Sequence, residues 1–127
     1  MESTRERAIG ARSFRIEEIV IDCFDPGLLA RFWSEALGYE VCEVYPDEAS
    51  IEDPEGTGPG IFFQKVPEAK KGKNRVHIDL TVPEDEFEAS VEHLESIGAT
   101  QVDVGQGPDR AWATMADPEG NEFCVVL

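Results

Sequence analysis

His77 and Asp79 stand two residues apart in the stretch Arg75-Val76-His77-Ile78-Asp79-Leu80-Thr81-Val82, and Glu122 and Cys124 repeat that spacing near the C-terminus. An imidazole and a carboxylate can take up and return a proton. A cysteine thiol is a nucleophile once it is ionised. Residues two apart on a strand share a face, so each pair can present its side chains to the same space. The chemistry these types support is proton transfer on a small organic molecule, with His77 or Glu122 as the base.

Each residue also has a plainer reading. His77 can be a satisfied structural group, while His93, the second histidine, falls at a polar helix position and is expected in solvent. Glu122 can be a general acid or base with a pKa raised by a partly apolar hollow, or it can form a salt bridge to Arg75 or brace a turn. Cys124 has no cationic neighbour in the sequence to draw off its proton and reads as a small core-like residue.

Strand parity extends the set. With Val76, Ile78, Leu80 and Val82 buried under helices, His77, Asp79 and Thr81 face the other way. Glu18, Val20 and Asp22 are their counterparts on an earlier strand. Glu122, Cys124 and Val126 alternate with Phe123, Val125 and Leu127. On the last strand of the first copy, Phe62 and Gln64 match them, and Trp112 and Thr114 alternate with Ala111, Ala113 and Met115. Catalytic work is therefore expected of His77 and Glu122. Ligand contacts are expected from Glu18, Phe62, Gln64, Asp79, Trp112 and Cys124, the indole of Trp112 offering a stacking wall.

The elements that hold these residues come in two copies of one plan. Asp53-Pro54-Glu55-Gly56 recurs as Asp117-Pro118-Glu119-Gly120, and both read as tight turns. Before each turn lies a helix ending in glycine, at Gly38 and Gly98. Asp25 caps the first helix and Pro26 opens it, and Leu28, Leu29, Phe32, Trp33, Ala36 and Leu37 follow helical spacing. The second helix is expected over 84–97, with Phe87, Val91, Leu94 and Ile97 as its stripe. Three short strands follow each helix, near 39–45, 48–53 and 60–66, then near 100–104, 111–117 and 121–127. The order βαβββ-βαβββ predicts an α+β fold: two modules, 15–66 and 74–127, forming a curved eight-stranded sheet of two half-barrels around a cleft. Residues 67–73 are the linker, and 1–14 read as a flexible leader without a secretory pattern.

With 127 residues, the chain suits one domain. The net charge of −16 repels nucleic acid and anionic membranes, and no apolar run is long enough to span a bilayer. Three cysteines without a CxxC pair suit free thiols in a reducing cytoplasm and argue against a cysteine-built zinc site. Five of the eleven basic residues, Lys65, Lys70, Lys71, Lys73 and Arg75, crowd one stretch. It reads as a solvated loop, or as an anion-steering rim.

Asp25-Pro26-x-x-Leu29-Ala30-Arg31-Phe32-Trp33-x-x-Ala36-Leu37-Gly38-Tyr39, Lys73-Asn74-Arg75-Val76-His77-Ile78-Asp79-Leu80 and Met115-x-Asp117-Pro118-Glu119-Gly120-Asn121-Glu122-Phe123-Cys124 resemble the glyoxalase/bleomycin-resistance/extradiol-dioxygenase group, the vicinal-oxygen-chelate superfamily. The resemblance implies two half-barrels around a cleft and a small-molecule ligand, with pairing of two chains as a further option. It also implies four metal ligands in metal-dependent members, on the first and last strands of each module. Carried over, those places fall on Glu18, Gln64, His77 and Cys124. The last normally holds glutamate, so a cleft without a metal cofactor is expected, a divalent metal being the alternative. The implied functions are a binding or lyase/isomerase-type domain working beside a carbonyl, a non-enzymatic drug-binding protein, or a metal-dependent glyoxalase or dioxygenase.

Overall fold

The computed structural model describes residues 5–6, 8–10, 12–102 and 112–127. Module one runs β1 (Glu18–Cys23), α1 (Pro26–Leu37), β2 (Glu40–Val44), β3 (Glu48–Glu52) and β4 (Gly60–Lys65). Module two runs β5 (Asp79–Thr81), a single 3-10 turn (Glu84–Glu86), α2 (Phe87–Ser96), β6 (Thr100–Gln101), β7 (Trp112–Ala116) and β8 (Glu122–Val126). The ends of the strands predicted over 100–104 and 111–117 fall partly outside the described residues.

Each module forms its own four-stranded sheet, ordered β1-β4-β3-β2 and β5-β8-β7-β6. The first strand of each module pairs in parallel with its last, and the other neighbours pair antiparallel. The same topology twice is what the repeated turn motif predicts.

Local chemistry sets the ends of α1. The Asp25 carboxylate accepts the N–H of Leu28 at 3.1 Å and Pro26 opens the first turn. Gly38 closes the helix at φ 71°, a left-handed conformation that a Cβ disfavours. The face of α1 bearing Leu29, Ala30, Phe32 and Trp33 is buried. It meets Ile51, Ile61 and Phe63 of module one and Phe123 of module two in one core. The Trp33 ring lies 5.0 Å from Phe123 and 5.2 Å from Phe32, both edge-on. Full burial of each such side chain contributes about 1.5–3 kcal/mol.

Two polar devices join the modules. Asp117 is 3% exposed and accepts from Glu119 N–H (2.9 Å), Asn121 N–H (3.0 Å) and the Trp33 indole N–H (3.1 Å). Glu119 reaches out of the same turn to accept the N–H groups of Phe24 and Asp25, each at 2.7 Å, at the entrance of α1. The second Asp-Pro-Glu-Gly turn thus grips the first helix.

The structure corrects two expectations about this frame. Helix α2 begins at Phe87, after the 3-10 turn, and not at residue 84. The first strand of module two is three residues long, and Val76, expected under the helices, is 79% exposed. The ladder with β8 ends where Cys124 N–H donates to the Ile78 carbonyl at 2.9 Å. Upstream of it the chain is drawn to Glu122, whose carboxylate accepts the Asn74 N–H at 3.1 Å, so residues 75–77 leave the sheet.

Candidate functional site

Where the modules meet, a cavity of about 230 Å³ opens between β1, the segment from Asn74 to Ile78 and the start of β8. Val20, Asp22, His77 and Glu122 line it, with Trp33 and Phe123 contributing apolar wall. A larger groove of about 610 Å³ runs between α2, β5 and the end of α1, and Asp79 and His93 border it. The smaller cavity is the candidate site, because the two predicted proton-transfer residues converge there.

His77 lies just before β5 but keeps the side of Asp79, as the two-residue spacing requires. Its Nδ1 stands 3.4 Å from Asp79 Oδ1, with the side chains 42% and 54% exposed. Register brings a third group to the pair: Asp79 is directly opposite Cys124 on β8. One donor atom each of His77, Asp79 and Cys124 lie within 4.8 Å of one another. The Cys124 Sγ also shares a hydrogen bond with the Thr114 hydroxyl at 3.7 Å across the β7–β8 pair. Cys124 therefore does have an ionisable neighbour that can accept its proton, which the sequence did not reveal.

Glu122 is engaged differently from its expectation. Its partner is Lys70, 3.1 Å away, rather than Arg75, and it also accepts the Asn74 N–H. Burial pushes its pKa up. The Asn74 and Glu122 backbone N–H groups and the Lys70 ammonium outweigh that push, so the carboxyl is held below the usual glutamate range. The raised pKa expected for a general acid is overturned. Glu122 stays ionised and ties the lysine-rich linker to β8.

The remaining predicted contacts occupy the strand faces opposite the core. Glu18 and Gln64 are exposed, Phe62 is half-buried and Trp112 is 42% exposed. The register separates two of them. Glu18 pairs with Gly60, whereas Gln64 pairs with Asp22, four residues further, about 13 Å along the strand. Counting back from Cys23 and Val82, the last positions of each first strand that turn toward the core, Glu18 corresponds to His77 and Val20 to Asp79. Val20 pairs with Phe62, so Phe62 and not Gln64 is the counterpart of Cys124.

That arrangement bears on the metal of metal-dependent relatives. Glu18 and Gln64 cannot reach one ion together, and among the described residues the donors that do cluster come from module two. A thiolate replaces one oxygen ligand, which suits hard divalent metals poorly. The residues present do not fit the four-ligand centre.

Parity had placed Asp22 on this face, and it lines the cavity. Sequence reading missed Asn74 as a site neighbour and Lys70 as the partner of Glu122. Lys70 and Asn74 lie in a linker whose path no periodicity fixes.

Two repeated modules, each with its first and last strands paired in parallel, around a crevice bearing His77, define a small two-module α+β domain of the glyoxalase/bleomycin resistance/dioxygenase (vicinal oxygen chelate) type. The chain belongs to the glyoxalase-like domain family, whose model matches residues 18–126. No curated protein matches the sequence significantly. A glyoxalase/bleomycin resistance protein/dioxygenase family enzyme from Burkholderia phytofirmans is 18% identical, with TM-score 0.70 over 88% of this chain and 98% of that one. The fosfomycin resistance protein FosX from Listeria monocytogenes, complexed with Mn(II) and 1S,2S-dihydroxypropylphosphonic acid, is 12% identical, with TM-score 0.70 over 91% and 90%. The oxidase ChaP-H2 is 21% identical, with TM-score 0.64 over 91% and 94%. At these identities the likeness is one of fold.

Proposed function

We propose that the protein holds a small, partly apolar carbonyl compound at the junction of its modules and that His77 moves a proton on the carbon next to the carbonyl. The observation that carries this reading is His77, which lines a 230 Å³ crevice with apolar walls and whose Nδ1 stands 3.4 Å from Asp79, outside that lining. The Asp79 carboxylate, 3.4 Å from Nδ1, is placed to orient His77 as a base. Glu122 takes a positioning role, fixing the linker that forms one lip. Phe62 and Trp112 offer apolar surface on the neighbouring strand faces, and Glu18, Gln64 and Cys124 offer polar contacts.

The test is a thermal-shift screen of small ketones and aldehydes, followed by NMR detection of deuterium uptake at the carbon beside the carbonyl. A ligand that stabilises the protein and exchanges hydrogen in its presence is expected, with His77→Ala lowering exchange about 100-fold or more. Equal exchange in that variant would remove His77 as the base.

A second reading is a drug-binding protein without turnover, favoured by the divided ligand set and the committed carboxylate of Glu122. Binding without exchange, by a species of dimeric mass, would select it. The free state of Cys23, Cys42 and Cys124 supports a reducing, cytoplasmic setting. No helix among the described residues is long and apolar enough to cross a membrane.

A further inference from the structure

We infer that Cys124 is a nucleophile, activated by His77 and Asp79, which forms a covalent bond to an α,β-unsaturated carbonyl compound held beside His77, on the face of the second sheet that Cys124 shares with Asp79. The inference deepens the proposed function and rests on its ligand class. Three observations carry it. The Cys124 Sγ, a His77 ring nitrogen and an Asp79 carboxylate oxygen lie within 4.8 Å of one another. The imidazole Nδ1 faces the carboxylate at 3.4 Å, which leaves the other ring nitrogen to accept a proton. The Thr114 hydroxyl, 3.7 Å from the sulfur, is placed to donate to it once it is ionised.

The other two cysteines lack this setting. Cys23 is buried and its thiol is pushed up to about 12, by desolvation first and then by Glu119, Asp25, Asp117 and Asp22. Cys42 is exposed among Glu52, Glu40 and Glu43, with desolvation and these carboxylates raising its pKa. Cys124 alone of the three has an imidazole in its donor cluster.

The step balances without an oxidant or a leaving group. The S–H bond breaks and its proton passes to His77. The sulfur lone pair forms an S–C bond at the β-carbon while the C=C pair moves toward the carbonyl oxygen as an enolate. The imidazolium then returns the proton to the α-carbon. The product is a thioether, and the reverse path begins with removal of that same α-proton by His77.

The test uses the full chain with iodoacetamide at pH 7, scored site by site by mass spectrometry, and then methyl vinyl ketone as the carbonyl probe. Cys124 is expected to be alkylated about tenfold faster than Cys42, although Cys42 is more exposed, and to take up one methyl vinyl ketone. In His77→Gln, checked for folding by circular dichroism, the preference is expected to vanish, with Asp79→Asn giving a smaller loss. Labelling of Cys42 at an equal or greater rate would overturn the inference. So would an unchanged preference in His77→Gln, or a stoichiometric metal whose removal is needed before Cys124 reacts. Deuterium exchange that persists without the labelling preference would defeat this inference and leave the proposed function standing. Absence of exchange with every carbonyl ligand would defeat the function, whatever the thiol does.

Discussion

At the residue scale, the carboxylates sort by what they accept. Asp117 is buried and spends both oxygens on a turn and on an indole N–H. Removing that donor with Trp33→Phe would leave Asp117 Oδ2 with the Asn121 side-chain amide as its donor while keeping most of the ring. A loss of about 1–3 kcal/mol is expected in urea denaturation. Glu122 is partly exposed and has a lowered pKa despite its burial. A depressed folded-state value means stability that is present above the unfolded value, about 4.3 for glutamate, and lost as pH falls through the folded one. The unfolding midpoint should therefore drop below about pH 4, and Glu122→Gln should flatten that drop, as acid-titrated thermal melts would show. That His77 and Cys124 face the same side was legible from strand parity, but that they stand within reach of one another was not, because parity fixes a face and not a register. That Lys70 and not Arg75 meets Glu122 was not legible, because a linker's course depends on which distant group captures it.

At the scale of elements, the helix limits of α1 were written in Asp25, Pro26 and Gly38, since caps act within a few residues of where they stand. The first strand of module two was overread. Its alternation continues back to Val76, yet the pairing with β8 begins only at the Ile78 carbonyl, and upstream of it Asn74 is held by the Glu122 side chain instead. The Glu119 grip on α1 was equally hidden, since sequence separation of 94 and 95 residues carries no periodic signal. Glu119→Ala would leave the N–H groups of Phe24 and Asp25 without their acceptor. A cost of about 1–3 kcal/mol is expected, with faster hydrogen exchange at residues 24–28 than at β8. Equal exchange across both regions would show that the turn does not hold the helix.

At the scale of the whole molecule, the duplicated turn announced a duplicated module, and the paired sheets follow from it. The ligand set did not follow, because duplication preserved topology and not chemistry: Val20 and Phe62 stand in module one where Asp79 and Cys124 stand in module two. Among the described residues, the cluster of imidazole, carboxylate and thiol thus lies in one half. A double substitution that moves the acid and thiol across, Val20→Asp with Phe62→Cys, is expected to leave thiol labelling at Cys124 unchanged, read by the same mass spectrometry.

Among the described residues, no main-chain ladder crosses from one sheet to the other; an indole, the Glu119 carboxylate and a shared aromatic core bridge them. Side chains bend more cheaply than ladders break. Widening the crevice by an ångström would therefore tilt a few rotamers and spare both sheets, and guests of unequal girth can be seated at similar cost.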